Sequence, residues 1–116
     1  MSMKIDGIEK TFKTEAASLG GTTTVYGYIG SADNPTEEVT FSLSSGTGSG
    51  KVTGFSYDKP SISYTPVTTM TSDVTINSAS SAKGTFSGTL EPLSGGVGAN
   101  VVITEGTFNT TVIAGN

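Results

Sequence analysis

The chain predicts an all-β fold, an antiparallel β-sandwich or a small open barrel of about eight or nine short strands. Ser, Thr and Gly make up close to half of its 116 residues, a bias toward strands and turns. Apolar and polar residues alternate along much of the chain, most cleanly where Val39, Phe41 and Leu43 are set against Glu38, Thr40 and Ser42. One phrase is also written twice. Lys83-Gly84-Thr85-Phe86-Ser87-Gly88-Thr89-Leu90 returns as Glu105-Gly106-Thr107-Phe108-Asn109-Thr110-Thr111-Val112. A β-branched run precedes each copy, Val74-Thr75-Ile76 and Val101-Val102-Ile103-Thr104, so the C-terminal third is expected to be two hairpin-like modules side by side.

Met3 and Ile5 alternate with Lys4 and Asp6, and Asp6-Gly7 is a strong two-residue hairpin signal, with the pattern resuming through Ile8, Lys10, Phe12 and Thr14. The one stretch compatible with a helical turn is Thr14 to Leu19. Gly20-Gly21 breaks the chain before a strand over Thr22 to Ile29, with Thr24, Tyr26 and Tyr28 on one face and Val25, Gly27 and Ile29 on the other. Asp33-Asn34-Pro35 marks a turn ahead of the strand Glu38 to Ser44. Ser44 to Gly50 holds only Ser, Gly and Thr and is expected to be a loop. Lys51 to Tyr57 is the next strand, turned by Asp58-Lys59-Pro60 into Ser61 to Pro66, where Pro66 predicts an edge or a strand end because it cannot donate to a ladder. Ser78 to Ala82 and Glu91 to Ala99 are the loops of the repeated modules.

The length fits a single domain over residues 1–116 with one modest core. Six lysines, scattered along the chain, and no arginine stand against ten acids, for a net charge of −4. Nucleic-acid binding requires clustered positive charge, so that class is set aside. No apolar run approaches the length of a membrane-spanning helix. The chain lacks cysteine and histidine, which removes disulfides, thiolate or imidazole metal sites, and the Ser-His-Asp and Cys-His arrangements. The first residues run straight into an alternating segment without the basic start and apolar stretch of a signal peptide. Either the protein stays inside the cell that makes it or a leader has been removed.

The remaining candidate chemistry is sparse. A Ser-Lys neighbourhood such as Ser81 and Lys83 is what chance supplies in so serine-rich a chain. Glu37 and Glu38 are adjacent, so on a strand they point to opposite faces and cannot act together on a glycosidic bond. Asp33, Asn34, Glu37 and Glu38 are the only local oxygen-rich cluster, a candidate calcium site, but they lack the every-second-residue ligand spacing of a dedicated loop and are read first as an Asx turn. Tyr26 and Tyr28 are the candidate ligand-binding pair. On an exposed face they can stack on a sugar ring or anchor a protein partner; the plainer expectation is that they cover the second side of a thin sandwich. No catalytic residue and no cofactor is expected.

The succession Val-Thr-Ile, loop, Gly-Thr-Phe-Ser-Gly-Thr-Leu, loop, Val-Ile-Thr-Glu-Gly-Thr-Phe-Asn resembles a family of small β-rich domains of unknown function found in cell-envelope lipoproteins of Bacteroidota. Met3-Lys4-Ile5-Asp6-Gly7 is similar to that family's first hairpin, and Ser63-Tyr64-Thr65 falls where its members often carry a similar phrase. Phe12 stands where the family commonly places an aromatic, often Trp, and the lipid-attachment cysteine and leader are absent. The resemblance implies an extracytoplasmic, lipid-anchored, non-catalytic domain, a binding or scaffold module with a protein or glycan partner. The alternative is a structural subunit of an ordered assembly such as a phage virion or surface appendage. Such a subunit would join copies through an edge strand, at Tyr64 to Pro66 or Thr107 to Ile113.

Overall fold

The computed structural model describes residues 1–93 and 98–114, and among these every regular element is a strand. In chain order they are β1 (Ser2–Ile5), β2 (Ile8–Thr11), β3 (Lys13–Leu19), β4 (Thr22–Gly30), β5 (Pro35–Leu43) and β6 (Gly48–Ser49), followed by β7 (Val52–Lys59), β8 (Ile62–Pro66), β9 (Thr71–Asn77), β10 (Ser81–Pro92), β11 (Val101–Thr111) and β12 (Ile113–Ala114). All twelve belong to one sheet with the order β12-β3-β4-β5-β7-β8-β10-β11-β1-β2, while β9 branches from β10 and carries β6. The sheet curls into a half-barrel around a single core. The all-β expectation therefore holds, but the architecture is one curled sheet in place of a clear eight- or nine-stranded sandwich. One-sided alternation looks the same whether the buried face meets a second sheet or the far side of its own curl.

Two tight turns start the curl. Asp6 and Gly7 both take positive φ, 51° and 83°, and join Ile5 directly to its partner Ile8. That is the primed turn the Asp-Gly pair predicts, because its twist matches that of the flanking strands. Asp6 also ties the turn to β11, its backbone N–H donating to the Val102 carbonyl at 2.9 Å and its Oδ1 accepting from the Val102 N–H at 2.8 Å. Gly20 and Gly21, at 61° and 85°, do more than interrupt the chain: they turn β3 into β4, with Leu19 opposite Thr22. The segment Thr14 to Leu19 is accordingly strand and not a helical turn. Pairing with β4 along all of β3 outweighs its weak local helix preference.

The doubled phrase resolves into a reciprocal pair. Its two copies lie antiparallel on β10 and β11, with Gly84 opposite Phe108, Thr85 opposite Thr107, and Phe86 opposite Gly106. Each copy's ring therefore lies over the other copy's glycine. A Cβ on Gly106 would sit 2.5 Å from the Phe86 ring, and one on Gly84 would sit 2.9 Å from the Phe108 ring. The first copy does form a hairpin with its β-branched run, β9 against β10. The second does not: Val101 to Thr111 is one strand, bulged where Glu105 takes a φ of 51°.

Phe86 and Phe108 point into the curl, where Phe41 of β5 and Phe55 of β7 meet them from the opposite wall. Ring centroids lie 5.5 Å apart for Phe41 and Phe86, 5.2 Å for Phe41 and Phe108, and 5.3 Å for Phe55 and Phe86. These are the spacings of offset and edge-on aromatic contacts. Removing one such ring costs about 3–5 kcal/mol. Met3, Phe12, Val25, Val39, Leu90 and Ile103 are among the other fully buried core residues.

The margins of the curl are drawn together twice. After Thr111 the chain passes from β10 and β1 to β3, where Ile113 and Ala114 pair in parallel with Ala17 and Ser18. At the other margin Lys10 of β2 reaches Glu37 of β5. Tyr64 lies inside the sheet, paired with both Tyr57 and Pro92, and Thr107 is flanked by Thr85 and Ser2, whereas Asn109, Thr110 and Thr111 pair, among the described residues, with β10 alone and Ile113 lies on the terminal strand β12. Pro66 ends β8, as its missing donor requires, inside the sheet. Loop Ser44 to Gly50 contributes β6, which covers part of β9, and Asn77 Nδ2 donates to the Ser44 and Gly46 carbonyls. The glycine-rich loop Glu91 to Ala99 lies partly outside the described residues.

The reciprocal pair can be tested by overfilling it. Gly106→Ala is expected to lower unfolding free energy by about 1–3 kcal/mol, the usual cost of forcing atoms into a filled site. Combining it with Phe86→Leu should cost less than the sum of the single changes. Denaturant midpoints of the four proteins would decide, and strict additivity would show that ring and glycine are not in contact.

Candidate functional site

The chemistry-bearing side chains lie on two faces of the same strands, and Glu37 and Glu38 mark the division. Glu38 of β5 faces outward. Beside it on β4, Tyr26 and Tyr28 project from the face opposite the core and stack on each other, ring centroids 5.3 Å apart and planes 25° apart. Both are half-buried. They line the outside of the curl, packed on each other. The Tyr26 hydroxyl donates to Glu38 Oε2 at 2.8 Å. Partial burial, with that bond and the negative charges of Glu38 and Glu15, pushes the Tyr26 phenol up to about 12. It stays protonated as a fixed donor.

The strand register completes this surface. Tyr26 lies between Glu15 of β3 and Thr40 of β5, and Tyr28 lies between Lys13 and Glu38. Asp58 of β7 is the next residue across from Glu38. Three carboxylates and one lysine therefore border the tyrosine pair. Toward the β12 margin the same face ends in Ala17, Leu19 and Ile113, the last two 63% and 69% exposed. Glu15 and Asp58 did not stand out in the sequence, since both depend on cross-strand register.

Glu37 shares its parity with Val39 and Phe41 and so turns inward. A carboxylate on that face has to be paired. Lys10 Nζ donates to both carboxylate oxygens at 2.8 Å, and the fully buried Tyr57 hydroxyl donates a short bond to Oε1. Tyr57 in turn stacks on Tyr64 at 5.6 Å. Burial alone would push the Glu37 carboxyl up. Lys10 and Tyr57 outweigh it and hold the group below its ordinary value, with Lys59 adding to the effect. For Tyr57, burial and the hydrogen bond to Glu37 act in one direction and push its phenol far up.

Of the oxygen-rich cluster, Asp33 and Asn34 stay in the exposed turn between β4 and β5. The turn is closed by Ser31, whose hydroxyl and carbonyl accept from the Asn34 N–H at 3.1 and 3.2 Å. Glu37 and Glu38 diverge, one inward and one outward, so the four side chains do not converge. Among the described residues no three carboxylates come close enough to hold a metal ion. The Ser81 hydroxyl lies against the Ser78 hydroxyl at 3.4 Å, within its own turn. Comparison with protein-family models, with curated proteins and with solved structures finds no match for this chain.

The inward cluster has a definite pH signature. Because folding depresses the Glu37 pKa below 4.5, its stabilisation is complete above that value and is lost as pH falls through the folded value. Wild-type protein should therefore lose stability more steeply than Glu37→Gln on acidification, as read from denaturant midpoints across pH 3–6. Parallel acid limbs would show that the ion pair is not coupled to folding. On the alkaline side the sign reverses: raised folded pKa values of Tyr57 and Tyr26 hold stability below about pH 10 that is lost above it.

Proposed function

We propose that this chain is a non-catalytic binding or scaffold module of the cell-envelope type, whose partner-facing surface is the outer Tyr26–Tyr28 face. The single observation that carries this is the stacked tyrosine pair on the solvent side of the sheet, with Glu38 fixing one hydroxyl and Glu15 and Asp58 at its border. Adjacent rings held by their own strand present a flat, pre-ordered platform. Tyrosines in such a setting supply contact area at small entropic cost. A protein or a glycan meets the same platform, the first through hydrogen bonds to the carboxylates and the second through stacking of a sugar face. The envelope placement rests on the resemblance of the Gly-Thr-Phe phrases and the opening hairpin to lipoprotein domains.

A second reading is favoured by one feature, the exposed apolar margin at Leu19 and Ile113. There β12 pairs, among the described residues, with β3 alone. A subunit of an ordered assembly would cover this margin with a further copy. Light scattering coupled to size exclusion separates the two. The module is expected to be monomeric at all concentrations, whereas a discrete oligomer abolished by Ile113→Lys would establish the assembly. For the module, Tyr26→Ala and Tyr28→Ala should each weaken a partner found by a glycan and protein screen by about 2 kcal/mol, without loss of fold. Unchanged affinity in both variants would remove the tyrosine face from the function.

A further inference from the structure

A well-formed recess lies away from the tyrosines, on the outer side of the strands that carry the doubled phrase. It has a volume of about 660 Å³, in the range of sites that hold small ligands. Its floor is set by strand register. Asp73 of β9 pairs with Thr85, Thr85 with Thr107, Thr107 with Ser2, and Ser2 with Thr11. All five line the recess. They form one row across five adjacent strands, four steps of about 4.8 Å or about 19 Å in all. A second depression adjoins the first and shares Asp73, Thr85 and Thr107 with it.

From this geometry we propose that the recess is a binding groove for a linear, neutral glycan lying across the strands. Ser and Thr hydroxyls each donate one hydrogen bond and accept two, the same mixture that sugar hydroxyls present. Each threonine adds a methyl group for the C–H face of a ring. The Thr85 and Thr11 hydroxyls make no hydrogen bond to the described residues and are available to a ligand, while Ser2 and Thr107 bond to each other at 3.1 Å. An apolar ligand would strip water from this row without replacing its hydrogen bonds. Lys83 lines the groove together with Asp73 and Glu9, so neither a polyanion nor a polycation meets a complementary field. An extended peptide is the poorer fit, because strands pair through their edges and this is a sheet face.

The groove is independent of the tyrosine platform, so the two fail separately. Neutral linear hexasaccharides of glucose, xylose and mannose, with a heparin hexasaccharide as the charged control, would be titrated into the full chain by calorimetry. Amide shifts would locate the site. At least one neutral hexasaccharide is expected to bind and to shift residues of β10, β11 and β1. The variant carrying both T85V and T107V, in which valine suits an exposed strand position, should bind it about tenfold more weakly, with T85S retaining affinity. Tyr26→Ala should leave the affinity unchanged. No binding by any neutral hexasaccharide at millimolar concentration, equal binding by the double valine variant, shifts confined to β4 and β5, or tighter binding of heparin would each overturn the proposal.

Discussion

Phenylalanine over glycine, twice and in opposite senses, is the contact on which the rest of the structure depends. Sliding β10 against β11 by two residues in one direction would place Phe86 opposite Phe108, crowding two rings into a space shaped for one. Sliding the other way would set Gly84 opposite Gly106 and leave a gap. A slip of one residue would turn one of the two rings out to solvent. The observed register is the one in which each ring fills the space its partner glycine leaves. With those rings fixed, Phe41 and Phe55 have a surface to pack on, and the far wall of the curl is placed.

The same register explains how so polar a chain stays folded. Inward positions are spent on a compact aromatic centre, and most of the abundant Thr and Ser fall on the outer face, where they need no partner from the protein; Thr23 and Ser72 are buried, and the Ser72 hydroxyl accepts from the Val52 N–H. Glu37 differs from these in being inward and charged. Lys10 and Tyr57 meet its oxygens and make it a fastening between the opening hairpin and β5. A lone buried carboxylate would have cost several kcal/mol; as part of this cluster it holds one margin of the half-barrel.

Much of this was legible in the residues. Asp6-Gly7 announced its turn, the alternation around Phe41 announced its buried face, and opposite directions for Glu37 and Glu38 followed from adjacency on a strand. The doubled phrase was visible, but not that its copies face each other, because pairing of segments some twenty residues apart is a property of register and not of either segment. For the same reason Lys10 and Tyr57 were not connected to Glu37. A signal was nonetheless present, since Glu37 shares parity with Val39 and Phe41 and an inward acid demands a partner. The choice between sandwich and open barrel, the two expected architectures, was not legible, because both use one alternation. Thr14 to Leu19 misled through composition, where pairing with β4 decided the outcome.

The pairing of β1 with β11 brings together Ser2 and Thr107, which lie 105 residues apart in sequence. Closing so long a loop is slow and gains nothing until both strands are present. A chain emerging from the ribosome would therefore carry its opening hairpin unanchored until β11 had been made, and Phe41 and Phe55 would wait for Phe86 and Phe108. Through that interval the inner faces of β4, β5 and β7 would be open to any other sticky chain. The short strands, the frequent glycine turns and the wealth of serine and threonine suit a protein that spends its synthesis half-covered, because they keep the unfinished sheet from finding a substitute for its own last strand.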